Sequence, residues 1–108
     1  MSPESGRILW RMTGDWRLMG QERYLQGAAF RHKPYRAWRK DWEHDHCAFC
    51  MRKLLEEGVT SDDPDAQTSG YAAVGRGPEG QDDYHWVCDD CFQDFRFKFR
   101  WTVVESEG

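Results

Sequence analysis

Two short stretches hold the residues best suited to chemistry, Cys47-Ala48-Phe49-Cys50 and Cys88-Asp89-Asp90-Cys91. In each, two residues separate the sulfurs, so a single tight turn can aim both thiolates at one point. Two such turns complete a tetrahedral shell with metal–sulfur bonds of about 2.3 Å. The 37 residues between the pairs are no obstacle, because the cost of closing a loop grows only logarithmically with its length. The spacing therefore predicts one structural Zn²⁺ held by Cys47, Cys50, Cys88 and Cys91, with a rubredoxin-like iron site, a redox dithiol or disulfides as the alternatives. Four protein thiolates leave no coordination position open to water, so Lewis-acid catalysis at this ion is not expected.

Other polar clusters carry weaker expectations. Glu43-His44-Asp45-His46 sets imidazoles and carboxylates beside the first pair. Metal ligands are commonly steadied by hydrogen bonds from neighbouring side chains, which is the role expected of His44, His46 and His85. The alternatives at residues 43–46 are a second metal site or His46 in place of one cysteine. Asp62-Asp63-Pro64-Asp65 fails as a calcium loop, since Pro64, Gln67 and Ala73 fall where an acidic or amide side chain, Gly and Glu are needed. The glycines of 75–80 lack the Lys-Ser/Thr sequel of a phosphate-binding loop. Arg31, Lys33, Tyr35, Arg36, Trp38, Arg39 and Lys40 interleave cations with rings, a pattern able to meet phosphates and stack on bases. The alternative is a solvated basic face over buried rings. Arg96, Lys98 and Arg100 form a second, smaller basic strip.

These residues need elements to position them. Asp15 is placed to cap a short turn through Met19 after an extended start from Arg7, and residues 24–33 read as strand ended by Pro34. Trp38 and Trp42, four apart, fit one face of a short helix or turn. Met51 to Glu57 predicts about two helical turns stopped by Gly58. A polar loop fills 59–69. Tyr71–Val74 and Tyr84–Val87 read as strands of a hairpin whose long tip holds Gly75, Gly77, Pro78 and Gly80. Residues 95–101 are ambiguous: strict alternation of rings with cations suggests strand, whereas Phe92, Phe95 and Phe99 share a helical face. A helix from Cys88 to about Phe99, then extended chain over 101–104, is expected, because the second cysteine pair is best presented by a helix N-terminus.

A cysteine turn, then a hairpin, then a helix entered through the second pair resembles the treble-clef zinc finger. The resemblance covers about residues 44–100 and implies that Cys47 and Cys50 sit on a zinc knuckle and Cys88 and Cys91 in the first turn of the terminal helix. The stretches Trp42–Cys50 and Tyr84–Phe95 also resemble a group of small uncharacterised bacterial proteins, which implies no activity. HNH nucleases share the outline but add a catalytic Asp-His between the pairs and a His after the last cysteine. Residues 51–83 contain no His, Phe92 follows Cys91, and Asp45-His46 precedes the first pair, so no enzymatic activity is expected.

Composition bounds the whole. The 108 residues have a mean hydropathy of −0.91, yet 15% are aromatic, too many for a disordered chain. No apolar run approaches the roughly 18 residues that span a bilayer, and the N-terminus lacks the layout of a secretory signal, so a cytoplasmic location is expected. The charge is uneven: residues 1–40 hold nine Lys/Arg against three Asp/Glu, net +6, and the remainder six against sixteen, net −10. The expected architecture is a single α+β domain, with residues 1–43 as a β-containing extension packed on a treble-clef-like module over 44–104. The expected function is a protein-interaction module of inhibitory, immunity-type or regulatory kind. The alternative is nucleic-acid binding through residues 31–42.

Overall fold

The computed structural model describes residues 15–37, 44–59 and 61–105. The expected start from Arg7 to Gly14 and the Trp38–Trp42 pair lie outside them. The chain is α+β. After a turn at Asp15, in which the Leu18 amide donates to the Asp15 carbonyl at 3.1 Å, one helical turn, α1 (Glu22–Leu25), leads into β1 (Ala29–Pro34). Tyr24 and Leu25, expected as strand, are thus helical. Gly27, at a φ of +69°, reverses the chain between the two elements.

Strand β1 is the middle of a sheet. It pairs antiparallel with β4 (Ser69–Ala73), from Phe30 opposite Ala73 to Pro34 opposite Ser69, and parallel with β6 (Thr102–Val103). Strand β5 (Trp86–Val87) pairs with β4 and completes the order β5-β4-β1-β6. Residues on both sides of position 43 therefore build one sheet. The β4–β5 hairpin is the one read from the sequence, and its tip closes where the Asp83 amide donates to the Ala73 carbonyl at 3.0 Å.

The helix expected at 51–57 is absent. There β2 (Asp45–His46) and β3 (Lys53–Leu54) form a small antiparallel hairpin, Asp45 opposite Leu54 and His46 opposite Lys53. Met51 adopts a φ of +68°, incompatible with a helix. The turn between the strands is tied by the Cys47 amide to the Arg52 carbonyl (2.8 Å) and the Met51 amide to the Cys47 carbonyl (3.1 Å). Leu55 and Gln67 add backbone bonds of 2.9 Å that continue this pairing. Tertiary pairing thus overrides a local helical preference worth only tenths of a kcal/mol per residue. Leu54 is fully buried with Tyr35, Ala72 and Trp86. Gly70 passes so close behind it that a Cβ would lie 3.1 Å from the Val87 carbonyl and 3.3 Å from Leu54.

Helix α2 (Asp89–Phe95) begins at Cys88, and its turns run on to Phe99, whose amide reaches the Phe95 carbonyl at 3.0 Å. The ending is a Schellman motif: Trp101 donates to the Arg96 carbonyl at 2.9 Å, Arg100 to Phe97 at 3.3 Å, and Arg100 takes the left-handed φ of +58°. Helical period decides the ambiguous segment, since Phe95 and Phe99 are buried while Phe97 is 85% exposed.

The core is made of rings. Phe30, Phe49, Phe92, Phe95, Phe99 and Trp101 are buried together. Tyr71 stacks on Phe92 at 3.7 Å, and Phe99 on Trp101 at 5.3 Å. Offset and edge contacts of this kind add roughly 0.5–1.5 kcal/mol per pair beyond burial.

Candidate metal centre

Two unrelated pieces of backbone bring the sulfurs together. Cys47 and Cys50 occupy the β2–β3 turn; Cys88 is the N-cap of α2, and Cys91 lies in its first turn. The turn is held against β5, because the Ala48 amide donates to the Trp86 carbonyl at 2.8 Å and Cys47 bridges to Trp86. Since β5 runs directly into Cys88, one short strand fixes the distance between the pairs. All four sulfurs lie within 4.8 Å of one another, and Cys50 and Cys88 are 3.6 Å apart. A tetrahedron with metal–sulfur bonds of 2.3 Å has sulfur–sulfur edges of about 3.8 Å, so the donor set fits one ion. Cys47, Cys88 and Cys91 are buried, and Cys50 is half-buried.

Acidity follows from this crowding. Hydrogen bonds from Cys88 and Cys91 hold the Cys47 thiol well below the ordinary thiol range. Hydrogen bonding to Cys47 and Cys88, reinforced by burial, pushes Cys91 far above the ordinary thiol range. A thiolate at Cys91 is thus disfavoured beside Cys47 and Cys88, and a dication would remove that conflict by displacing the proton.

Four thiolates around a dication leave a formal charge of −2, and two arginines flank it. The Arg17 guanidinium donates to Cys91 Sγ at 3.5 Å and to Asp94 at 2.9 Å, while two bonds to Asp15 (3.0 and 2.8 Å) fix its plane. Asp15, then Asp94 and Cys91, raise its pKa against the opposing effect of burial. Arg17 also covers the Phe95 ring at 4.5 Å. At Arg52, burial works against the charge, but Cys88, Cys50 and Asp90 outweigh it. The Phe49 amide donates to Cys47 Sγ at 3.4 Å. Gln21, buried to 2% exposure, ties the Arg17 loop to the cysteine turn by donating to the Arg17 and Ala48 carbonyls at 2.8 and 3.0 Å. The sequence gives no sign of Arg17 or Gln21, which lie 74 and 27 residues from the partners that define their roles.

The histidines expected around the sulfurs make other contacts. His44 and His46 meet edge to face at 4.9 Å, and His85 lies between Tyr24 (4.5 Å) and Tyr84 (5.0 Å). Burial lowers the pKa of both His46 and His85. Asp45, His46 and His85 do share a cavity of about 280 Å³ with Tyr24, Met51 and Tyr84. Among the described residues, the four cysteines are the one group of three or more His, Cys, Asp or Glu side chains clustered closely enough to hold an ion.

The basic segment is largely occupied within the molecule. Arg31 lies 3.8 Å from Asp82, Lys33 pairs with Asp83, and His32 contacts Asp89 at 3.0 Å. Tyr35, expected as a contact ring, is 1% exposed, packs on Trp86 at 4.9 Å and donates to Asp45 at 3.1 Å; it is a core residue. Arg36 is exposed, and Trp38, Arg39 and Lys40 lie outside the described residues. No helix among the described residues is long and apolar enough to cross a membrane.

No protein-family model, curated protein or solved structure matches the chain.

Proposed function

We propose that this chain is a zinc-stabilised, treble-clef-like module that serves as a non-catalytic protein-interaction domain in the cytoplasm. The observation that carries the metal reading is the convergence of four sulfurs within 4.8 Å. Order supports the fold reading: a cysteine-bearing hairpin, a second hairpin, then a helix that starts at Cys88. Zinc suits a closed tetrathiolate shell and leaves no site for substrate. Cysteines kept as metal thiolates suit a reducing compartment.

The interaction reading rests on where charge is already spent. Arg31 and Lys33 face Asp82 and Asp83, so phosphate would have to displace partners that are present at full local concentration. Meanwhile Trp16 and Phe97 stand 67% and 85% exposed, and large rings are favoured anchors at protein interfaces. Replacement of zinc by Co²⁺ tests the centre: intense thiolate charge-transfer and tetrahedral d–d bands are expected, and an octahedral spectrum overturns the tetrathiolate. Titration with oligonucleotides across a salt series tests the role. Little binding at low salt is expected, whereas tight binding that weakens steeply with salt overturns it.

A further inference from the structure

The two basic strips of this chain differ in what they face. Along β1 the cations have Asp partners. In the turn after α2, Arg96, Lys98 and Arg100 have no carboxylate partner among the described residues; Arg96 instead lies over the Phe92 and Phe97 rings at 5.1 and 5.5 Å, and Lys98 over Phe99 at 6.0 Å. At their centre is Phe97. The other five phenylalanines are buried to 5% exposure or less, and Phe97 is 85% exposed. Beside this turn, β6 is the outer strand of the sheet, and Thr102 and Val103 are exposed.

We propose that Phe97, Lys98 and Arg100, with the Arg96 guanidinium, form the docking surface of the interaction module, and that its partner is a protein segment carrying acidic side chains around an apolar residue. The proposal rests on the protein-interaction reading above. Charge complementarity selects the partner. The cations end a helix whose exposed positions include Asp89, Asp90 and Asp94, within residues 41–108, whose net charge is −10. A short acidic segment can meet the turn without overlapping the acidic surface, whereas a long polyanion such as nucleic acid would be carried across it. Arg100 holds its charge at a left-handed backbone position that favours glycine.

The test uses the full zinc-loaded chain and two labelled probes, a short peptide alternating Glu with Leu and an oligothymidylate. Amide shift mapping reports where each binds. The peptide is expected to bind and to shift residues 96–103. Affinity should fall about tenfold in the Lys98→Glu/Arg100→Gly double variant, as expected for two solvent-exposed ion pairs. Phe97→Ser should weaken binding severalfold. Both variants alter exposed positions, and glycine at position 100 relieves backbone strain, so a melting temperature that is not lowered verifies that the fold persists. No peptide binding, or shifts elsewhere with both variants inert, overturns the proposed surface while leaving a protein partner elsewhere open. Preferential, salt-sensitive binding of the oligothymidylate overturns the interaction reading itself.

Discussion

The two cysteine pairs reach the same point from opposite structural premises. Cys88 and Cys91 are carried by a helix whose turns and buried rings would form one face without any ion. Cys47 and Cys50 sit in a six-residue turn between two-residue strands, a hairpin too short to be stable alone. The second pair is positioned by its own element; the first is positioned by everything else. It relies on the bridge to Trp86, the Gln21 amide, the Phe49 ring inside the core, and the ion proposed between the pairs.

Losing a ligand should separate the pairs most strongly. Cys88→Ser removes a fully buried thiolate, and loss of the metal with loss of native circular dichroism is expected, corresponding to several kcal/mol. Cys50→Ser, at the half-buried corner where water can substitute, should keep a folded, weakly metallated protein. Equal damage from both would remove the asymmetry. Next comes the shared floor. Phe92→Ala should cost about 3–5 kcal/mol in denaturant unfolding, because this ring meets Phe30, Tyr71 and Trp101.

The flanking arginines sharpen the comparison. Arg17→Gln removes the donor to Cys91 and the cover over Phe95, and zinc affinity should fall roughly tenfold or more in a chelator competition. Arg52→Gln, bonded at 3.4 Å to a largely exposed Asp90, should cost less. Acid acts on both pairs, since binding of the proposed zinc would displace at least the Cys91 proton. Affinity should rise about tenfold per pH unit for each proton displaced near neutrality. His85 adds a smaller effect. Burial lowers its folded pKa, so the unfolded chain binds the proton more readily. Its contribution is complete above the ordinary imidazole value of about 6.5 and erodes as pH falls below it; His85→Gln should flatten that limb of the stability profile. The smallest effect is a gain: Arg100→Gly should stabilise by about 0.5–1 kcal/mol, by relieving the left-handed arginine of the Schellman motif.

The same asymmetry governs what could be read from the sequence. The helix at the second pair was legible because Phe92, Phe95 and Phe99 repeat at a helical period, and Cys88 and Cys91 fit its first turn. The β4–β5 hairpin was legible from its Gly-rich tip. After the first pair, Met51-Arg52-Lys53-Leu54-Leu55-Glu56-Glu57 has the composition of a helix, yet its regular structure is the two-residue strand Lys53–Leu54. Its fate is decided by Asp45, His46 and Gln67 through backbone bonds that leave no local signature. The four clustered cysteines could be found because their spacing is local; Arg17 could not, because its value depends on folding Asp15, Asp94 and Cys91 around it. The basic segment at 31–36 misled for a related reason. Its charges are real, but Asp82 and Asp83 lie across the sheet, and Tyr35 turns into the core.

The central claim is that one zinc ion joins the two pairs and holds the fold. The most direct measurement is the metal content of the purified chain together with its melting temperature before and after chelation. One zinc per chain, a melting temperature lowered by tens of degrees on metal removal, and recovery on adding Zn²⁺ are predicted. A melting curve unchanged after verified removal would contradict the account.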